Sequence, residues 1–152
     1  MKPKYILGRK DKADFPELKL RNLDIKIDTG AFTSSIHCHQ IEEIENEGGK
    51  VLHFQLLDPS HSKYNNLEFK LNDYSCKIIK NSFGESQERY VINTTIILYG
   101  QSFPLALSLS ERGDMKYPVL IGRELLKRSF IIDPNRINLS YKHKKRNRKK
   151  SK

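Results

Sequence analysis

The clearest alternation in the chain runs from Leu23 to Asp28, with Leu23, Ile25 and Ile27 on one face and Asp24, Lys26 and Asp28 on the other. A period of two is that of a half-buried strand, and this one delivers Asp28 at its end. Thr29-Gly30-Ala31 then makes a turn, and a short β-prone stretch follows from Thr33 to His37. Val51, His53 and Gln55 alternate with Leu52, Phe54 and Leu56 in a further strand, which Asp58-Pro59-Ser60 ends. The most strand-like run is Tyr90 to Tyr99, rich in β-branched residues. Gly100-Gln101 offers a two-residue turn into another strand, Phe103 to Leu109. Shorter β segments are Tyr5-Ile6-Leu7 as an edge strand, Cys76 to Ile79, Val119 to Ile121 and Phe130 to Ile132, with Ile137 to Tyr141 pairing back. Two segments read as helical: a brief one at 40–47, closed by Gly48-Gly49, and a later one at Gly122 to Arg128. The polar stretch 60–75 favours no element. Many short strands with turn residues between them, and one short late helix, predict an all-β chain closed into a small barrel.

Length and composition narrow the picture. At 152 residues the chain fits one domain, and 37% hydrophobic residues permit a single modest core. The net charge of +10 suggests nucleic acid until it is located. Residues 142–152, KHKKRNRKKSK, carry eight of the 28 Lys and Arg and no acid; without them 20 basic residues face 18 acidic ones. The expected organisation is therefore a nearly neutral domain over 1–141 and a basic, self-repelling, disordered tail over 142–152. Such a tail serves either as a solubilising terminus or as a contact for RNA, ribosomes or acidic proteins. Two cysteines, Cys38 and Cys76, are too few for a disulfide framework, which points to a reducing compartment. No signal-peptide core or membrane-length apolar run is present, so the expected location is cytoplasmic with no membrane contact.

Two runs carry the candidate chemistry. The first is Ile27-Asp28-Thr29-Gly30-Ala31; the second, some ninety residues on, is Val119-Leu120-Ile121-Gly122-Arg123-Glu124-Leu125-Leu126. Asp-Thr-Gly alone is ordinary turn chemistry, but the pair in this order resembles the retropepsin fold. There an Asp-Thr-Gly-Ala loop is followed late in the chain by a hydrophobic-hydrophobic-Gly segment entering the helix. The wider frame from Ile25 to His37, with Gly84, Arg89, Arg112 and Met115 to Arg123, is similar to the bacterial family often labelled "ATP-dependent zinc protease". That family is associated with ATP-grasp amino-acid ligases of the glutamate-adding type. The likeness covers roughly Tyr5 to Asp133.

The resemblance implies a retropepsin-like aspartic peptidase needing no cofactor, with Asp28 as the catalytic carboxylate. Hydrolysis by this route needs two carboxylates sharing one proton, so that one acts as base on water and the other as acid on the scissile carbonyl. Only one such motif exists here, so the second Asp must come from a homodimer with Asp28 on its two-fold axis. Thr29 would grip the opposing loop, Gly30 would admit substrate backbone and an unusual φ, and Gly122 and Arg123 would support the site. Ala31 stands where pepsin-like enzymes carry Ser or Thr, which implies activity nearer neutral pH. In retroviral proteases the Arg after the late Gly pairs with an acid four residues beyond the catalytic Asp; here that position is Phe32, leaving Glu111 or Asp114 as partners for Arg123, or a role for Arg123 toward the substrate. The span 81–89 takes the place of a flap.

Other residues hold open alternatives. His37, Arg89 and Arg112 are candidates for binding a peptide or protein substrate, the arginines through bidentate contact with a carboxylate. Their bland roles are a structural histidine and ion pairing with Glu88 or Glu111. His37 and His39 alternate on a strand and are the candidate metal ligands for a zinc hydrolase acting with an ATP-grasp ligase. Cys38 has no partner beyond these histidines for nucleophilic work. A non-catalytic retropepsin-like module that binds a peptide or partner is the remaining alternative.

Overall fold

A computed structural model describes residues 4–80, 83–111 and 116–150, with residues 149 and 150 in backbone only. Eleven strands and two helices are assigned within those residues. Strands β1 (Tyr5–Leu7), β2 (Lys10–Phe15) and β3 (Leu20–Ile27) open the chain, with a single 3-10 turn at Pro16–Leu18 between the last two. The long strand β4 (Ser34–Asn46) and β5 (Gly49–Leu56) form a hairpin, followed by β6 (Glu68–Leu71). Then come β7 (Ser75–Lys80), β8 (Ser86–Leu98), β9 (Gln101–Ser110), β10 (Val119–Ile121), α1 (Arg123–Ser129), β11 (Phe130–Ile132) and α2 (Leu139–Lys150).

Six of these strands close on themselves in the order β10-β3-β2-β8-β9-β4, since β4 also pairs with β10. Strands β5 and β6 continue outward from β4, β7 hangs from β8, and β1 pairs with β11 in a separate parallel ribbon. The expected all-β retropepsin-like architecture is present as a mainly β chain whose ring carries side branches, so it is not a clean barrel. The core comprises Leu23, Ile25, Ile36, Ile92, Ile96, Leu107, Val119 and Ile121 from the ring strands with Phe54 from β5, all essentially inaccessible to solvent. The alternation that predicted β3 is the burial pattern observed there, with Leu23, Ile25 and Ile27 inward.

Four expectations are corrected. Residues 40–46 are strand rather than helix and Glu47 lies in the turn, because Glu42 to Asn46 pair with Gly49 to His53 around a turn where Gly49 has φ +116°. Cross-strand pairing outweighs the weak local helix preference of QIEEIENE. The β8–β9 turn sits on Tyr99-Gly100, one residue earlier than predicted, with Leu98 opposite Gln101. Both turn residues have positive φ, the geometry of a type I′ hairpin. Polar residues 10–15 form a full strand with Asp11, Ala13 and Phe15 inward, where the sequence suggests only the edge strand Tyr5-Ile6-Leu7 before Leu23.

The fourth correction concerns the C-terminus. Residues 139–150 are helical, so Ile137 to Tyr141 does not pair back as a strand and the basic segment from 142 to 150 is not a disordered tail. The helix is anchored where the domain offers it charge. The buried carboxylate of Asp11 accepts the N–H groups of Ser140 (2.9 Å) and Tyr141 (3.1 Å) at the first turn, as well as that of Lys12. Helix N-termini leave such donors without internal partners and favour a negative charge beside them. Ser140 Oγ in turn accepts the Tyr99 N–H, and Lys144 donates to Asp14 and Asn22. Burial pushes the Asp11 carboxyl above its ordinary pKa, with the three N–H donors and Lys142 acting against that rise. Replacing Asp11 by Ala strands those donors and is expected to cost about 1–3 kcal/mol, read by denaturant unfolding, with a loss of helical circular dichroism.

Candidate functional site

The Asp28 loop is held by the second motif through backbone bonds. Strand β10 lies parallel to β3, with Ile121 beside Ile27. The Asp28 N–H then donates to the Ile121 carbonyl at 2.9 Å. On the far side of the turn, the N–H groups of Arg123 and Glu124 donate to the carbonyls of Ala31 (2.8 Å) and Phe32 (3.0 Å). Gly122 donates its N–H to Ser34 Oγ at 3.0 Å, in a buried contact. A Cβ on Gly122 would lie 2.5 Å from the Phe32 carbonyl oxygen, so the residue is glycine for want of space.

Within the loop, Asp28 Oδ1 accepts the Gly30 N–H at 3.0 Å, and the Ala31 N–H donates to the Asp28 carbonyl. Gly30 does not adopt a positive φ; a Cβ there would sit 3.3 Å from Asp28 Oδ1, so its value is close approach to the carboxylate. Thr29 is exposed, and its carbonyl accepts Arg123 Nη1 at 2.9 Å. The Arg123 guanidinium also lies 5.9 Å from the Phe32 ring centre, and Lys127 Nζ lies 5.2 Å from it. The aromatic face thus meets the arginine where an acid would in the retroviral arrangement. Glu111 accepts the Ile41 N–H and forms no ion pair with Arg123 among the described residues. Asp114 lies outside the described residues.

Asp28 opens onto a cleft of about 250 Å³ lined also by Gly30, Ala31, Ser35, Lys80 and Arg89, with Ser108 at its floor. Lys80 and Arg89 come from the β7–β8 hairpin, whose strands pair Lys77 with Arg89 and Lys80 with Ser86. Residues 81 and 82, at the start of the span expected to replace a flap, lie outside the described residues; Ile78 and Phe83 of this hairpin are exposed. Arg89 is steadied by Gln87 Oε1, at 2.9 Å from Nη2 and 3.3 Å from Nε. The cleft therefore brings the Asp28 carboxyl together with the cationic side chains of Lys80 and Arg89. Larger cavities of about 470 and 720 Å³ lie against α2, and no residue of the Asp28 loop lines either.

The structure brings Asp28, Gly30, Ala31 and Arg89 to one cleft, with Thr29, Gly122 and Arg123 bracing it. His37 is placed elsewhere. Its ring is buried, with Nε2 at 2.6 Å from Asp58 Oδ2 and Nδ1 at 3.2 Å from the Ser110 carbonyl. His39 packs edge-on to Tyr64 instead of joining it. Both ring nitrogens of His37 are thus engaged, and no group of three or more His, Cys, Asp or Glu suited to a metal is found among the described residues. Arg112 lies outside the described residues. Cys38 is buried, its thiol bonded to the Ile36 carbonyl, and burial raises its pKa far beyond the range of a nucleophile.

Asp58 and Ser34 do not stand out in the sequence. Ser34 gives no signal beyond its place after the motif, and Asp58 reads as a turn residue. The hydroxyl and N–H of Ser60, then His37, hold the Asp58 carboxyl down to a pKa of about 2. A depressed carboxylate contributes stability that is present above its unfolded value near 4 and is lost as the pH falls through the folded value near 2. Asp58→Asn is therefore expected to be less stable than the parent at pH 7. The two stabilities should converge as denaturation is repeated toward pH 2; a constant difference across that window would contradict the assignment.

The RimB-like family, described as the retropepsin-like aspartic endopeptidase RimB, matches residues 6–143. Proteins named probable alpha-L-glutamate ligase from Shewanella pealeana and Desulfotalea psychrophila are 34% and 33% identical over 132 and 131 residues, 87% and 86% of this chain. The chain spans only 29% and 28% of the length of those relatives. The crystal structure of a Legionella pneumophila protein of unknown function superposes with a TM-score of 0.68 at 26% identity, covering 89% of this chain and 97% of that one. Among the described residues, no helix is long and apolar enough to cross a membrane. With a family match running from the first strand into the last helix and enclosing both motifs, this chain belongs to the RimB-like family of retropepsin-like aspartic endopeptidases.

Proposed function

We propose that the chain is an aspartic endopeptidase in which Asp28 and the Asp28 of a second copy share one proton and hydrolyse an amide bond. The observation that carries this reading is the placement of Asp28. β10 holds its backbone N–H and α1 holds the loop after it at Ala31 and Phe32, while Asp28 lines a cleft with Lys80 and Arg89 of the β7–β8 hairpin. One ionised carboxylate takes a proton from water as that water attacks the scissile carbonyl. The protonated one donates to the carbonyl oxygen, and the collapse that follows expels the amine with a proton returned from the dyad. Among the described residues Asp28 supplies the one carboxylate lining this cleft, so the chemistry asks for a two-fold partner. The exposed face around Thr29, Gly30 and Phe32 is where that partner would meet it.

Strands β1 and β11 pair with each other inside one chain, Tyr5 opposite Phe130. The dimer would therefore rest on the Asp28 loops and the β7–β8 hairpins more than on exchanged terminal strands.

The substrate reading joins the cleft to the relatives' names. Lys80 and Arg89 in the cleft favour acidic residues on either side of the cut bond. Relatives named for glutamate ligation suggest a peptide bearing glutamates added by an ATP-grasp ligase. The test is hydrolysis of a peptide with an α-linked oligoglutamate tail, followed by mass spectrometry at several pH values. Cleavage with a rate maximum above about pH 4 supports the reading, since Gly30 supplies the donor to Asp28 Oδ1 and Ala31 adds no hydroxyl. Arg89→Gln is expected to raise KM for this peptide by roughly tenfold, with a smaller change in kcat, the signature of a lost charge-assisted contact.

One finding favours a second reading. Because the chain corresponds to under a third of proteins named as ligases, it would also suit a non-catalytic module that presents a glutamylated partner to such an enzyme. Peptide binding that persists in Asp28→Asn, with no cleavage by either protein, would favour it.

A further inference from the structure

The helix α2 takes no part in the Asp28 site, and its surroundings are distinctive. A groove of about 400 Å³ runs along one flank, with Lys142 and Arg146 of the helix on one wall and Lys4 and Arg136 on the other. The groove of about 720 Å³ on another side sets Lys144 and Arg148 opposite Lys19 and Arg21. Lys4, Lys19, Arg21, Arg136, Lys142, Lys145 and Arg146 are exposed. Three carboxylates enter this field: Asp14 pairs with Lys144 at 2.8 Å, Asp133 approaches Arg136 at 3.8 Å, and the buried Asp11 lies near Lys142 under the first turn. Lys145 leans over the Tyr141 ring. Lys142 with Arg146, and Lys144 with Arg148, thus set basic side chains in two rows along a 12-residue helix, about 18 Å long.

We infer that α2 and its two flanking grooves form a docking surface for the phosphodiester backbone of a nucleic acid. The rows match an evenly spaced polyanion lying along the helix, and counterion release supplies the affinity without any shaped pocket. An acidic protein partner is less well served. Interfaces of that kind draw their energy from clusters of buried aromatic and apolar anchors; among the described residues α2 exposes no large hydrophobic, and the flanking grooves add the single exposed Ile6. None of the residues lining the grooves lines the Asp28 cleft, so both sites can be occupied together. The surface does not depend on the proposed peptidase activity.

The test uses the full chain and fluorescence anisotropy with four labelled probes: single-stranded RNA, duplex RNA, duplex DNA and an oligoglutamate peptide of matched charge. The expected result is binding to at least one nucleic acid, with affinity falling steeply between about 50 and 200 mM salt. The triple variant Lys142→Gln, Lys145→Gln, Arg146→Gln keeps residues of good helix propensity, so its circular dichroism should match the parent's. It should bind at least tenfold more weakly at low salt, with the log–log salt slope reduced by about 2–3 units, at 0.7–0.9 per lost contact. Lys19→Gln with Arg21→Gln tests the other groove without touching the helix and should lower the slope by about 1–2 units. No nucleic-acid binding at 50 mM salt, an unchanged slope in both variants, or tighter α2-dependent binding of the oligoglutamate peptide would each overturn the assignment. Which nucleic acid binds most tightly identifies the source of the backbone.

Discussion

Asp28→Asn is expected to lower amide hydrolysis by at least roughly 10³-fold while leaving the fold intact, because it removes the only charge the mechanism asks of this loop. Asn keeps the shape and one acceptor oxygen, so the Gly30 N–H still has a partner. The side chain is half-buried at the mouth of a cleft and forms no ion pair among the described residues that the substitution would break. Stability should change by no more than about 0.5 kcal/mol, as for other substitutions away from packed features. In a dimer it should rise slightly, since two carboxylates no longer face each other. Kinetics on the oligoglutamate-tailed peptide, set beside denaturant unfolding of the same preparations, separate the catalytic loss from a structural one. Full activity in Asp28→Asn would remove the carboxylate from the chemistry altogether.

Gly122→Ala should be the most damaging single-methyl change near the site. The added Cβ would lie 2.5 Å from the Phe32 oxygen, 2.8 Å from its carbonyl carbon and 2.9 Å from the Ala31 oxygen. These are backbone atoms, and both carbonyls already accept N–H groups from α1, so neither yields without breaking a bond. Relief requires pushing the Asp28 loop away from β10, with an overpacking cost of about 1–3 kcal/mol. Protein that remains folded would carry a displaced carboxylate, and a shift near 1 Å costs roughly 10²-fold in rate. Both losses should appear together: a lower unfolding midpoint, and low activity at temperatures where the variant is still folded. The residue's φ of −96° is ordinary, so strain in Gly122 itself has no part in the effect.

Much of the fold and of the Asp28 site is legible in the amino-acid sequence. The period-two run before Asp28, the β-branched run at 90–99 and the apolar triplet before Gly122 each form a strand because their local preference and their burial agree. The two motifs foretell their own contact, since the late glycine segment has to approach the Asp28 loop closely. What stays hidden depends on partners distant in the chain. Asp11 looks like one more charge in a polar opening, although its alternation with Ala13 and Phe15 points it inward; its role needs α2, more than 120 residues later. The basic C-terminal segment reads as self-repelling because Asp14, Asn22 and Asp11, which hold it, are invisible from its own composition. Residues 40–47 have helical composition, and 40–46 take the strand state because β5 is folded back on them. His37 stands out as a candidate, but its pairing with Asp58 follows from a turn whose place relative to β4 no local pattern specifies.

The central claim is that one catalytic site needs two copies of Asp28. It is tested most directly by mixing parent and Asp28→Asn chains in varying ratio at fixed total concentration, letting subunits exchange, and measuring the initial rate on the oligoglutamate-tailed peptide. A shared dyad predicts that the rate follows the square of the parent fraction, so an equal mixture retains about one quarter of the activity. A linear fall, with about one half retained at the same point, would mean that each chain works alone and would contradict the account.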